Sequence, residues 1–169
     1  MMKAEVPPSF PLLRLIARLR AFFGHTPSMV LLGMVYESGG VAGRDISDAN
    51  REYLRAAERG DTQAMWLLGV NHLSSKTGAT DEDTALHWLH EAALNGHGMA
   101  GWALGRLYLK GKLVETDHAQ GLKLLEASAR AGCEPARDFL IKIFRDGYEG
   151  IAPDRERAQA WEQDAGIAG

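Results

Sequence analysis

The sequence predicts an all-α fold of helical hairpins repeated along the chain. The first observation is a period of 36 residues, at which four leucines recur: Leu32, Leu68, Leu104 and Leu140. The second is that a small residue four positions earlier and a ring four positions later recur with them. These spacings place one apolar face on a helix. A fixed period of this length is typical of stacked helical repeats, so we expect about four hairpins in an α/α solenoid.

Each hairpin is expected to begin with the helix that carries this leucine. A glycine follows the leucine in three repeats, as Gly33, Gly69 and Gly105, whereas Ile141 follows it in the fourth. The helix is predicted to end at small residues, which permit the left-handed turn at a helix terminus. These residues are Gly39, Ser75, Gly111 and Gly147.

The second helix of each hairpin is predicted to start at an aspartate. The four aspartates are Asp45, Asp81, Asp117 and Asp154. An aspartate there accepts hydrogen bonds from free N–H groups and meets the positive end of the helix dipole. Gly60, Gly96 and Gly132 close the first three repeats. We interpret all these residues as packing and capping positions. The expected repeats are 28–60, 61–96, 97–132 and 133–169.

Residues 1–27 are predicted to form an N-terminal tail and an amphipathic capping helix. Gly24 lies 36 residues before Gly60, so residues 10–23 take the place of a second helix that lacks its first partner. One apolar face is predicted, with Arg14 and Arg18 opposite it. That face comprises Leu12, Leu13, Ile16, Leu19 and Phe23. We expect this helix to seal the first hairpin. A basic amphipathic helix of this kind also suits contact with anionic lipid or a partner protein.

Two stretches resemble the unit of the Sel1-like repeat (SLR) family, a relative of the tetratricopeptide repeats. They are the run Ala100–Tyr108 with Gly111, Asp117 and the 129–132 end, and the segment 81–96. The resemblance covers about residues 28–166, although Ile141 and Gly166 depart from the pattern in the fourth unit. It implies α/α hairpins in a right-handed superhelix and a scaffold or adaptor role. It implies no catalytic residues.

Charge and cysteine content limit the classes of function. A formal net charge of −3 argues against a general nucleic-acid binder, which needs a basic surface. The single cysteine, Cys133, rules out an intramolecular disulfide framework. No apolar run approaches the roughly 18 residues of a membrane-spanning helix. Arginines interrupt the apolar stretch 11–23, which is unlike a secretory signal. We expect a cytoplasmic protein, and the periplasm is also compatible with these features.

Enzyme signatures are weak, and we predict no catalysis, no metal and no cofactor. His87 and His90 are three residues apart beside Glu91, whereas a zincin motif needs two histidines four apart with the glutamate between them. We interpret both histidines as solvent-facing. The glycine-rich segment 39–43 follows a helix and has no phosphate-binding lysine, so it is expected to be a hairpin loop.

Two tryptophans mark a candidate binding surface. Trp66 and Trp102 lie 36 residues apart and away from the leucine face of their helices. In tetratricopeptide arrays the equivalent first-helix positions line a concave groove, and internal packing is the alternative. The candidate groove comprises Val30, Met34, Trp66, Val70, Trp102, Arg106, Asp138 and Lys142. It is apolar in its N-terminal half and charged in its C-terminal half, which suits an amphipathic helix or an extended peptide with one polar end.

Two classes of function fit these features. The first is an adaptor or scaffold that binds a protein or peptide on its concave face. The second is a bacterial inhibitor or immunity-type protein that binds a toxin or an enzyme. An envelope-assembly factor tethered by the N-terminal helix fits less well. The sequence does not identify the partner.

Overall fold

The structure, a computed structural model, describes residues 11–39, 45–74 and 81–167. Within these ranges the chain is helical, with no strand apart from one isolated antiparallel bridge between Tyr148 and Ile151. The prediction of an all-α hairpin fold is therefore confirmed. The helices belong to two compact units that meet in the sequence between Asp81 and Glu82. Segment 40–44, which contains most of the predicted glycine-rich loop, and Ser75 lie outside the described residues.

Unit 1 contains four described helices. They are α1 (Pro11–Phe22), α2 (Thr26–Ser38), α3 (Ile46–Ala57) and α4 (Thr62–Leu73). Helix α2 packs against both α1 and α3, and α3 packs against α4. Gly24 and Gly60 close α1 and α3 with φ of +85°, a backbone conformation that glycine adopts at little cost. The 36-residue register therefore extends back to α1, as predicted.

Unit 2 contains five described helices. They are α5 (Glu82–Leu94), α6 (Gly98–Lys110), α7 (His118–Arg130), α8 (Glu134–Asp146) and α9 (Arg155–Ile167). Each consecutive pair of these helices packs together, and α6 also contacts α8. The buried core contains leucines from four helices, which are Leu89 of α5, Leu104 and Leu109 of α6, Leu125 of α7 and Leu140 of α8.

The aspartates predicted to start second helices act as caps in three hairpins. The backbone N–H of Asp48 donates to the Asp45 carboxylate at 2.9 Å, and that of Gln120 donates to Asp117 at 2.9 Å. The N–H of Arg157 donates to Asp154 at 3.0 Å. These contacts satisfy backbone donors that a helix cannot satisfy within itself.

The glycine after the repeated leucine lets the two helices of a hairpin approach closely. A Cβ added at Gly105 would lie 2.7 Å from Leu125 Cγ and 2.9 Å from the Gly121 carbonyl oxygen. A Cβ at Gly33 would collide with the ring of Tyr53, which is fully buried. A large side chain of the second helix thus packs directly on the backbone of the first helix.

Gly105→Ala is expected to destabilise the protein by about 1–3 kcal/mol, because the methyl group overpacks the contact with α7. This net loss is expected even though alanine favours the helix by about 1 kcal/mol over glycine. Gly101→Ala on the same helix is the control, since its Cβ would meet Ser128 Cβ at 3.2 Å and no atom closer. Urea denaturation measures both variants. A loss at Gly101 equal to that at Gly105 would contradict the steric explanation.

Helix α1 packs through a different face from the predicted one. Ala17 and Ala21 are buried, whereas Ile16, Leu19 and Phe23 of the predicted face are exposed. The predicted packing face was therefore wrong for these three residues. The side chains of Leu12, Leu13 and Arg14 lie outside the described residues.

The repeat register explains why the alanines face inward. Ala17 and Ala21 precede Tyr53 and Ala57 by 36 residues, and both of those residues are buried in α3. Two polar contacts also fix α1. The Arg18 guanidinium donates to the Tyr36 hydroxyl at 3.0 Å, and Arg55 of α3 donates to the Ala21 carbonyl at 3.2 Å.

Candidate functional site

The eight candidate groove positions divide equally between the two units. In unit 1, Met34 is exposed, and Trp66 and Val70 are half-buried. Val30 is only 8% exposed, so it does not offer a side chain to a ligand as expected. The burial is local to Val30, since Leu31 and Met34 of the same helix are exposed.

In unit 2, all four predicted positions border one open pocket of about 400 Å³. Trp102 and Arg106 reach it from α6, and Asp138 and Lys142 reach it from α8. The other lining residues are Lys110, Pro135, Phe139 and Tyr148. We call this site the α6–α8 pocket. Its volume lies in the usual range for ligand sites in proteins.

Arg106 lies against aromatic rings in this pocket. Its guanidinium carbon is 4.7 Å from the centroid of the Trp102 ring and 6.0 Å from that of Phe139. The ring of Tyr148 meets Phe139 edge-on, with 5.4 Å between their centroids. Stacking against aromatic faces stabilises the cation, and the N–H donors in the guanidinium plane suit a carboxylate.

The charges around the pocket are mainly positive, in contrast to the whole chain. Arg106, Lys110 and Lys142 supply three cations, and Asp138 supplies one carboxylate. Burial, together with the neighbouring Glu149 carboxylate, raises the pKa of the Tyr148 hydroxyl, so this phenol stays protonated at neutral pH. The site therefore combines aromatic surface with cationic donors. This chemistry suits the binding of an anionic group.

Sequence reasoning identified half of the pocket. Lys110 could also have been predicted as a lining residue, because Trp102, Arg106 and Lys110 follow one another at four-residue spacing on one helix face. Tyr148 gave no periodic signal, since it lies after α8 in the link that the Tyr148–Ile151 bridge shapes. Phe139 lies outside the two repeated first-helix positions that define the candidate groove, so the register did not select it.

The two histidines on α5 differ from each other. His87 is exposed, as predicted, but His90 is half-buried, and its Nε2 lies 3.3 Å from the Tyr108 hydroxyl on α6. Burial lowers the pKa of His90 and favours its neutral form. The solvent-facing interpretation was therefore wrong for His90. Across residues 11–39, 45–74 and 81–167, no cluster of three or more His, Cys, Asp or Glu side chains is arranged to hold a metal ion.

Helical hairpins that recur every 36 residues define a helical-repeat protein. The sequence profile of the Sel1 repeat matches residues 26–61, 62–97 and 99–133. The chain therefore belongs to the Sel1 repeat family, as its resemblance predicted. Sel1 repeats indicate a protein-interaction scaffold. In the part of the chain that the structure describes, no helix is long and apolar enough to cross a membrane.

Solved structures support the same fold. The chain resembles a protective antigen of uropathogenic Escherichia coli with an SLR fold, at 27% identity and a TM-score of 0.80. The match covers 92% of this chain and 33% of the antigen, so the chain spans about a third of that protein's length. A Sel1 repeat protein from Oxalobacter formigenes is 23% identical, with a TM-score of 0.71 over 99% of this chain and 74% of its own.

An immunity protein from Pseudomonas aeruginosa is also similar in structure. It is 19% identical, with a TM-score of 0.53 over 89% of this chain and 71% of its own. At this identity the likeness shows the fold alone. No protein of curated function matches the chain.

Proposed function

We propose that this protein is an adaptor or scaffold whose α6–α8 pocket binds a segment of a partner protein. The supporting observation is that Trp102, Arg106, Asp138 and Lys142, which the repeat register selects, border one pocket. Tryptophan, tyrosine and arginine are the residue types that most often dominate binding energy at protein interfaces. The pocket contains one tryptophan, one tyrosine and one arginine.

The chemistry of the pocket favours a partner segment with a carboxylate beside an apolar side chain. A carboxylate would pair with Arg106, whose donors are held in place by the stack on Trp102. The apolar neighbour would lie against Phe139 and Tyr148, which are already in contact. Lys110 and Lys142 raise the local positive potential and steer an acidic segment toward the site.

The unit 1 positions extend this proposal. Met34 is exposed, and Trp66 and Val70 are half-buried, so they offer an apolar surface on unit 1. That they form one groove with the α6–α8 pocket stays a prediction. A cytoplasmic setting, and a partner that is a protein rather than a nucleic acid, belong to the same proposal.

The proposal is tested by capture of partners from source-cell lysate on the immobilised full chain. Three proteins are compared: the wild type, the pocket variant Arg106→Glu/Lys142→Glu and the control Lys112→Glu/Lys123→Glu. The control makes the same change in net charge at exposed lysines outside the pocket. We expect quantitative mass spectrometry to find a protein that the wild type and the control retain, and that the pocket variant loses at least tenfold. Equal retention by all three proteins would contradict the proposal.

An inhibitor or immunity-type role is the second candidate. It is favoured by the structural likeness to the immunity protein from Pseudomonas aeruginosa. Such a role predicts a tight one-to-one complex with a toxin or enzyme encoded near this gene. Co-expression with each neighbouring product and size-exclusion chromatography tests it, and the absence of any stable complex would argue for the adaptor role.

A further inference from the structure

The outer side of α1 carries an exposed apolar face. Five large side chains are between 41% and 81% exposed: Leu15, Ile16, Leu19, Phe22 and Phe23. Because each helical residue advances by about 100°, they occupy an arc of about 120°. The centre of this arc lies opposite the buried Ala17 and Ala21. We call it the α1 apolar face.

The repeat architecture does not account for this face. Leu15, Leu19 and Phe22 correspond, 36 residues later, to three charged residues, which are Arg51 and Arg55 of α3 and Glu58 at its C-terminal cap. The first helix of a hairpin covers a different side of its second helix. In the first hairpin it covers Tyr53, which packs on Gly33, and the α1 equivalent of Tyr53 is Ala17. A further repeat packed before α1 would cover Ile16, whose α3 equivalent Glu52 is buried. It would leave Leu15, Phe22 and Phe23 exposed, as their equivalents Arg51, Glu58 and Arg59 are.

The charges on α1 indicate what covers this face. Helix α1 contains three arginines and no acidic residue. Arg18 and Arg20 are both exposed, and each lies about 100° from the centre of the α1 apolar face, on opposite sides of it. This arrangement is typical of helices that lie in a membrane interface, where apolar side chains sink below the headgroups and arginines reach the phosphates.

We propose that α1 docks the protein on an anionic membrane surface through the α1 apolar face. The helix lies parallel to the bilayer, with Leu19 and Phe22 inserted and Arg18 and Arg20 at the level of the lipid phosphates. The opposite side of α1 stays packed on unit 1 through Ala17 and Ala21. A second copy of the chain is a less suitable occupant of this face. Two paired α1 helices would bring together Arg18 and Arg20 of both copies, and α1 has no acidic residue to compensate for them.

Flotation of the full chain with vesicles tests the proposal. Vesicles of phosphatidylglycerol and phosphatidylcholine are compared with vesicles of phosphatidylcholine alone. We expect the wild type to float with the anionic vesicles, and Leu19→Gln/Phe22→Gln to reduce its partitioning at least tenfold. Arg20→Gln is expected to reduce it several-fold, and 1 M salt to weaken the electrostatic part because charges are then screened.

The matched control is Leu94→Gln on α5. Leu94 is the equivalent of Phe22 two repeats later, and it is 79% exposed against 75% for Phe22. It lacks the surrounding apolar face, so its replacement is expected to leave partitioning unchanged. Circular dichroism should be the same for all variants, because each changes an exposed side chain.

Three results would overturn the proposal. The first is no flotation of the wild type with anionic vesicles, and the second is equal flotation of the wild type and Leu19→Gln/Phe22→Gln. The third is a concentration-dependent dimer in analytical ultracentrifugation without vesicles, abolished by the same double substitution. That result would assign the α1 apolar face to a second copy of the chain. Pocket variants are expected to float like the wild type, so this test is independent of the proposed partner site.

Discussion

Leu104→Ala is expected to reduce the free energy of unfolding by about 2–5 kcal/mol, the range observed when a buried leucine is truncated. Leu104 is fully buried on α6, which packs against α5 and α7. Close packing of α7 on Gly105, the next residue, restricts the backbone shift that could fill the cavity. The loss should therefore include a cavity cost as well as the lost transfer free energy. Chemical denaturation followed by far-UV circular dichroism measures it.

Leu140→Ala is the matched comparison, because Leu140 is equally buried at the same repeat position. Helix α8 packs against α7 and α9, and α9 has mostly exposed side chains where they are described. A hairpin whose second helix buries few side chains has fewer contacts to hold it closed and opens more readily. We therefore expect a smaller loss at Leu140 than at Leu104. Equal losses at the two sites would contradict this gradient.

The helices and their caps were predictable because local rules determine them. An aspartate before an apolar-periodic segment, such as Asp45 or Asp117, favours a helix N-cap because its carboxylate accepts a hydrogen bond from a free backbone N–H of the first turn. Glycine with positive φ at Gly60 and Gly132 ends the repeats for an equally local reason. The period of 36 residues then places the same type of cap and turn in successive repeats. For these features sequence spacing was sufficient.

The orientation of α1 was not predictable from its own pattern. Amphipathic periodicity identifies an apolar face, but it does not say whether that face contacts protein or remains exposed. The register with α3 indicates which face of α1 is buried, since Ala17 aligns with the buried Tyr53 and Leu19 aligns with Arg55. His90 was misjudged for a related reason. Its partner, Tyr108, lies on the next helix and is not visible from α5 alone.

The pocket was predictable only in part. Register selected Trp102 and Arg106, but their stacking and the contribution of Tyr148 depend on how α8 and the following link approach α6. Val30 occupies the same register position as Trp102, yet Val30 is buried and Trp102 is half-buried and borders the pocket. Equivalent positions in a repeat therefore share a backbone location without sharing an environment.

Trp102→Ala is expected to weaken partner binding by about 2 kcal/mol or more, because the substitution removes both an aromatic anchor and the surface that holds Arg106. Trp102 also packs against the hydrophobic core of unit 2, so some loss of stability is expected. That loss should stay below the roughly 3–5 kcal/mol of a fully buried tryptophan, because the side chain is only half-buried.

Two companion variants separate binding from folding. Trp88→Ala removes another half-buried tryptophan of unit 2 that does not line the α6–α8 pocket. It is expected to lower the melting temperature and leave partner affinity unchanged. Trp102→Phe keeps an aromatic face beneath Arg106 and should recover most of the affinity. Isothermal titration calorimetry with the captured partner, together with thermal melts, measures both quantities. If Trp102→Ala and Trp88→Ala lower stability alike and leave affinity unchanged, Trp102 is a packing residue and the α6–α8 pocket is not the partner site.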